Sequence, residues 1–268
     1  MVLKEEGDLR KLHSVILRLS QQFEPPHALL TKATDVYEEW LHGRSGEPYS
    51  SESRNYYIWL ALAVKLLRPR NILELGNWYG ASTLMMYSSI SDDLVSFTSV
   101  DIVKKLDLLT DEVWNDQRAR FVFGNDLNLS IYERKLPLDI DFLFIDSLHE
   151  LHHLVDEWYI YRHLCVNGAL VVLDDIYLEN LRSFWDALPY PKLDISEDCH
   201  KSGFGIFIYS SDDAEMISSR ERIDRAYDAS LEVAYARLER AKDQAKAGRY
   251  SGGFKEQIAN LLLGRRKT

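Results

Sequence analysis

Two short runs place acidic side chains directly behind apolar stretches: Asp141-Phe142-Leu143-Phe144-Ile145-Asp146-Ser147-Leu148-His149 and Leu170-Val171-Val172-Leu173-Asp174-Asp175. Read as adjacent strands, they bring Asp146, Asp174 and Asp175 to the carboxyl edge of a sheet, where open α/β sheets bind ligands. Three carboxylates gathered there repel one another unless a cation sits among them or a proton is retained. Hard oxygen donors suit Mg²⁺, with Ca²⁺ or Mn²⁺ as substitutes, and no soft-ligand spacing for zinc is evident. A narrower assignment gives one member of the Asp174-Asp175 pair to a ligand and the other to capping the next helix. His149 follows Asp146 by three residues and can exchange a proton near neutral pH. His152, His153 and His163 read as surface or packing residues, and Cys165 as buried structure.

A second constellation lies in Glu74-Leu75-Gly76-Asn77-Trp78-Tyr79-Gly80-Ala81-Ser82. Gly76 and Gly80 let the backbone approach a ligand, and a helix N-terminus behind them offers free amides. A nicotinamide fingerprint needs glycines at the first, third and sixth positions. Counting from Gly76, the third and sixth are Trp78 and Ala81, which disfavours a nicotinamide oxidoreductase. Asp101 follows the run Phe97–Val100, and Asn125-Asp126 follows Arg120–Phe123, so each closes a further apolar run.

These residues need a scaffold. Short apolar runs alternating with longer amphipathic stretches predict parallel strands with crossover helices at Ile72–Leu75, Phe97–Val100, Arg120–Phe123, Phe142–Ile145 and Ala169–Leu173. Lys192–Ser196 and Gly205–Tyr209 then predict an antiparallel hairpin. Before them, Leu9, Leu12, Val15, Ile16 and Leu19, and again Leu29, Leu30, Ala33, Val36, Tyr37, Trp40 and Leu41, repeat at helical spacing. A third helix is expected from Glu52 to Leu67, ending before Pro69. Ile223, Tyr227, Leu231, Ala234, Leu238 and Ala241 form the apolar stripe of a C-terminal helix, which either packs on its own domain or pairs with another chain. The chain thus divides into helical residues 1–70, an α/β core at 71–209, and a helical extension at 210–268.

Composition bounds the class. The chain of 268 residues carries 32 basic and 42 acidic side chains, a net charge of −10, and the central segment holds 10 and 23 of them. Such an acid excess argues against a nucleic-acid partner, whose phosphates require positive charge. It suits a cationic ligand or a metal, although solvated surface carboxylates would give the same count. An apolar fraction of 46% supports a packed core. With two cysteines, no basic-then-apolar leader, and a longest apolar run far below membrane-spanning length, a cytoplasmic protein is expected, with no membrane partner.

Glu74, the four-residue glycine spacing and Ser82, followed by Asp101 and Asn125-Asp126 at successive strand ends, resemble the class I S-adenosylmethionine-dependent methyltransferases. The resemblance spans about residues 52–209. It implies a Rossmann-like seven-stranded methyltransferase sheet, mostly parallel with a terminal antiparallel hairpin, helices on both faces and extra helices at both ends. It also implies that S-adenosyl-L-methionine is bound by Glu74, Gly76, Asn77, Tyr79, Gly80, Ser82, Asp101, Asn125, Asp126 and Asp146, with Asp101 on the ribose and Asn125-Asp126 beside the adenine. The acids after the fourth and fifth strands are similar to those of metal-dependent small-molecule O-methyltransferases, the group of catechol O-methyltransferase and the cephalosporin-hydroxylase-like and macrocin-type sugar enzymes. That likeness implies Asp146, Asp174 and Asp175 as Mg²⁺ ligands, His149 and Asp146 as catalytic residues, and a small-molecule hydroxyl as acceptor. Asp175 stands where catechol-type enzymes carry an amide, and His149 where they carry a lysine. Tyr56, Tyr57 and Trp59 are expected to cover the cofactor and shape the acceptor pocket. A metal-independent methyltransferase, and a non-catalytic assembly protein on the same fold, are the competing expectations; the terminal helices leave a homo-oligomer open.

Overall fold

A computed structural model describes residues 3–23, 52–104, 109–133, 135–211 and 217–246. The expected helix around Leu29–Leu41, the loop after it and the chain beyond residue 246 lie outside the described residues. The described elements run α1 (Glu6–Ser20), α2 (Glu52–Leu67), β1 (Asn71–Leu75), α3 (Ala81–Tyr87), β2 (Ser96–Asp101), α4 (Asp111–Asn115), β3 (Ala119–Phe123), β4 (Ile140–Ile145), α5 (Leu151–Tyr161), β5 (Cys165–Asp174), α6 (Leu181–Ala187), β6 (Lys192–Asp194), β7 (Phe204–Ile208) and α7 (Ser219–Lys246).

The seven strands form one sheet in the order β3-β2-β1-β4-β5-β7-β6. β1 to β5 pair in parallel, while β7 runs antiparallel to β5 and β6. Both faces are covered, so the central strands are near-continuous apolar runs rather than alternating ones. Successive residues point to opposite faces. Ile72, Phe142, Phe144 and Val172 enter one core with α1, α2 and α3, and Leu73, Leu143, Ile145 and Val171 enter the other with α5, α6 and α7. The architecture matches the expected fold class. β5 begins at Cys165, four residues before the expected start, and β6 stops at Asp194.

α2 ends at Leu67 because Pro69 follows. Arg68 takes a left-handed φ of 53°, and its amide closes on the Val64 carbonyl at 2.9 Å. α1 lies on α2, where the Trp59 indole donates to His13 Nδ1 at 3.1 Å. The other ring nitrogen of His13 meets Asp198 at 2.8 Å, tying the N-terminal helix to the β6–β7 loop.

The C-terminal helix docks on its own domain, centred on a face beside the expected stripe, whose Tyr227 packs on the core in part. The buried positions of α7 are Arg222, Ala226, Ala229, Ser230 and Val233, one residue out of phase with Ile223, Tyr227 and Leu231, and Leu231 is 58% exposed. A one-residue shift rotates the contact face by roughly 100°. Polar bonds account for the shift. Arg222 donates to the His163, Leu164 and Cys165 carbonyls and to Asp139, Ser230 donates to the Leu127 carbonyl at 2.5 Å, and Arg237 pairs with Asp156 at 2.7 Å. No described helix is long and apolar enough to cross a membrane.

Candidate active site

At the carboxyl ends of β1 to β4 lies a cleft of about 360 Å³ whose walls include Gly76, Trp78, Asp101, Asn125, Asp126 and Asp146, with His153 from α5 and Arg237 from α7. Gly76 makes the close approach possible. It has a φ of 87°, and a Cβ there would stand 1.9 Å from the Asp146 carbonyl oxygen, so only glycine lets the loop after β1 pass the end of β4. Gly80, also at φ 87°, turns the chain into α3. Asp101 fastens this loop to β2. Its Oδ2 accepts the amides of Asn77 at 3.1 Å and Trp78 at 2.8 Å, and its Oδ1 accepts that of Val103 at 2.9 Å. Of the roughly four acceptor positions of a carboxylate, these use three.

Other expected cofactor residues sit behind the loop. Glu74 is fully buried, and its carboxylate receives the hydroxyls of Ser82 at 2.6 Å, Ser99 at 2.6 Å and Thr83. Burial pushes its pKa up to about 7 against the pull of these hydroxyls. Glu74 and Ser82 therefore brace the loop from below. Asn77 is 3% exposed and donates to Ser99 at 2.7 Å, while Tyr79 packs on Trp78 with ring centres 4.7 Å apart. Glu74, Asn77, Tyr79, Gly80 and Ser82 are thus not among the residues lining the cleft, whereas Gly76, Asp101, Asn125, Asp126 and Asp146 are.

Behind Asp126 lies a polar cluster formed with His153, expected as a surface or packing residue, and Glu157. His153 is buried, with Nε2 3.2 Å from Asp126 and 3.5 Å from Glu157. Burial disfavours the imidazolium, but the charges of Glu157 and Asp126 outweigh it and raise the pKa to about 10. Burial would also raise Asp126, yet His153 pulls it below the usual carboxylate range. Glu157 is wholly buried and pushed up to about 8, chiefly by desolvation. Tyr161 donates to the Asp126 carbonyl at 2.7 Å and meets Tyr132 at 2.8 Å, fixing the backbone of the same turn.

The strand-four and strand-five acids converge as expected, with two imidazoles between them. His149 Nε2 lies 3.3 Å from Asp146 and 3.1 Å from Asp175. His200, from the β6–β7 loop, hydrogen-bonds Asp174 through Nε2 and Ser202 through Nδ1 at 2.6 Å. Asp175 has a left-handed φ of 57°, an unusual conformation for a side-chain-bearing residue, which turns the chain directly at the site. Burial raises Asp146 far above its ordinary value and the Asp174 charge adds to it; Asp175 is raised for the same two reasons. Burial works against a charged His149, but its hydrogen bond to Asp146 and the surrounding acids carry it to about 9. One donor atom each from Asp146, His149 and Asp175, and likewise from Asp174, Asp175 and His200, lie within 4.8 Å of one another. This donor set fits a divalent cation, and the imidazoles extend it from Mg²⁺ to ions such as Mn²⁺.

Tyr56, Tyr57 and Trp59 are buried. Tyr56 lies 5.0 Å from the His200 ring and Trp59 5.7 Å from Phe204, so α2 backs the carboxylate site and does not line the cleft. His200 and Glu157 escaped the sequence reading because neither belongs to a strand-end motif. A helical spacing of four between His153 and Glu157 was the only local signal.

Residues 73–176 match a family model described as a methyltransferase domain. None of the curated proteins matches the chain. The O-methyltransferase from Bacillus cereus in complex with SAH is 20% identical, with a TM-score of 0.52 over 74% of this chain and 97% of that one. The SAH-bound methyltransferase PaMTH1 from Podospora anserina is 13% identical, with a TM-score of 0.53 over 79% and 99%. TomG, an O-methyltransferase from Streptomyces achromogenes involved in tomaymycin synthesis and solved with SAM, is 18% identical, with a TM-score of 0.53 over 74% and 96%. Family match and strand order agree: residues 73–176 are similar to a methyltransferase domain, and the seven-stranded sheet shares its fold with these solved methyltransferases.

Proposed function

We propose that this protein transfers the methyl group of S-adenosylmethionine to a hydroxyl of a small molecule, with a divalent cation held by Asp146 and Asp175, and by Asp174 once it exchanges its bond to His200. The observation that carries this reading is the double placement of Asp146. It lines the cleft under the glycine loop and is also a member of the carboxylate–histidine cluster, so cofactor and acceptor would meet across one residue. The neighbours solved with SAM or SAH are consistent with that cofactor in that cleft.

Methyl transfer is an in-line displacement: the acceptor oxygen bonds the sulfonium methyl as the carbon–sulfur bond breaks and its electron pair stays on sulfur. The enzyme's share is alignment. Gly76 and the loop held by Asp101 set the position of the cofactor, and Asp126 offers an acceptor to the adenine amine. His149 takes the acceptor's proton. A divalent cation, when bound, would orient the hydroxyl and lower its pKa. Because His149 holds its own proton up to about 9, it becomes a base only at higher pH or when charge on the neighbouring acids is neutralised. The test is methyl transfer from S-adenosylmethionine to a panel of catechols, phenols and sugar hydroxyls before and after chelation. Turnover lost on chelation and restored by Mg²⁺ or Mn²⁺ supports the reading.

One observation favours a second reading, a metal-independent methyltransferase. His149 and His200 already pair with all three acids, so the site can balance its charge with protons. Full turnover after exhaustive chelation selects this alternative.

A further inference from the structure

The helix α7 lies outside the segment matched by the methyltransferase-domain model, yet three side chains on one of its faces grip the core. Arg222 holds the region before β5, Ser230 bonds the Leu127 carbonyl next to Asp126, and Arg237 lines the cleft itself. The Arg237 guanidinium is aimed by Asp156, at 2.7 Å through Nε, and its Nη2 stands 3.4 Å from His153 Nδ1. The other ring nitrogen of His153 reaches Asp126 at 3.2 Å. A continuous chain of polar contacts therefore runs from Asp156 through Arg237 and His153 to Asp126 in the cleft wall.

We infer that α7 is a working part of the cofactor site, with Arg237 a positioning residue that holds His153 against Asp126 and so fixes the carboxylate that recognises the amino edge of an adenine. This inference rests on the cofactor reading above and deepens it. Asp126 already accepts the Leu127 amide at 2.9 Å, so its remaining acceptor capacity is directed by His153. A carboxylate that only accepts selects a purine bearing a 6-amino donor and rejects one bearing a 6-oxo acceptor, whose oxygen would face it unpaired. Asp126, His153 and Glu157 also have metal-ligand spacing, and both Glu157 oxygens are buried without a hydrogen-bond partner. A fixed guanidinium 3.4 Å from Nδ1 disfavours a metal cation there, and as a donor it leaves Nδ1 the acceptor, so that the imidazole proton sits on Nε2, facing Asp126 and Glu157.

The test is calorimetric titration of the full chain with S-adenosylhomocysteine and with its 6-oxo analogue, S-inosylhomocysteine. Wild type is expected to bind the first and discriminate against the second. Arg237→Ala and Arg237→Gln should each weaken S-adenosylhomocysteine binding by roughly tenfold or more, the scale of a lost hydrogen bond to a charged group, and narrow the ratio between the two ligands. Asp156→Asn, outside the cleft, should act in the same direction, Arg237→Lys should recover part of the loss, and Lys242→Ala, whose ion pair is with Glu239 on the same helix, should match wild type. Thermal unfolding without ligand separates this from global damage, and if Arg237→Ala is unfolded the Gln and Asp156→Asn variants decide. Folded Arg237 and Asp156 variants that bind and discriminate as wild type does would overturn the inference while leaving the cofactor reading intact. A wild type that binds neither ligand would remove the cofactor reading itself.

Discussion

Glu74 shows how one side chain can be conspicuous in the sequence for a reason other than ligand contact. Its carboxylate is buried beneath three hydroxyls and its pKa is raised from 4.5 to about 7. The sign follows from linkage: the folded state prefers the protonated acid, so this contribution is fully present below 4.5 and is lost as pH rises through about 7. Above that the ionised group costs up to about 3 kcal/mol. Glu74→Gln is therefore expected to raise the unfolding midpoint at pH 8 relative to wild type and to lose that advantage at pH 4.5; the same midpoint difference at both values contradicts the assignment. For His149 the prediction is kinetic. With Mg²⁺ present, the rate of methyl transfer should climb with pH along a limb below the value of about 9 that His149 holds among the unneutralised acids, because a cation joining the acids removes charge that retains the proton. A Mg²⁺-supported turnover whose limb stays near 9, or that survives His149→Ala undiminished, removes His149 as the base. The sequence showed where Asp101, Asp126, Asp146, Asp174 and Asp175 stand because each lies at or just beyond the end of an apolar strand. It did not show Glu74 facing inward, since the hydroxyls of Ser82, Thr83 and Ser99 converge on it only after β1, α3 and β2 have packed.

At the scale of elements, the strands were legible and the facing of α7 was not. Parallel strands buried on both faces announce themselves as apolar runs. A long surface helix can instead present several faces, and here the apolar stripe lost to a face of small residues and well-partnered polar ones. Ala226 and Ala229 let the helix approach closely, and Arg222, Ser230 and Arg237 finish the contact with hydrogen bonds that no hydrophobic pattern encodes. This makes a paired prediction. Ala226→Leu, at a fully buried position, should overpack the interface and cost about 1–3 kcal/mol in denaturant unfolding. Leu231→Ala, on the exposed stripe, should stay within about 0.5 kcal/mol of wild type. The reverse ranking would mean that the helix docks by the stripe after all. His200 was illegible for a related reason: it reaches Asp174 from a hairpin loop 26 residues away in sequence, a pairing set by the antiparallel register of β5 and β7.

Across the whole molecule, six of the 23 acids of the central segment gather in three settings: Glu74 in the core, Asp126 and Glu157 with His153, and Asp146, Asp174 and Asp175 with His149 and His200. In the two histidine settings, imidazoles balance part of the charge that the sequence alone would assign to a cation. The cofactor remains the claim on which the rest depends. The most direct measurement is calorimetric titration of the full chain with S-adenosylhomocysteine, with NADH titrated in parallel. The account predicts saturable one-site binding of S-adenosylhomocysteine, abolished by Gly76→Val, whose side chain would collide with the Asp146 backbone, and no heat from NADH. Binding of NADH with none of S-adenosylhomocysteine would contradict it.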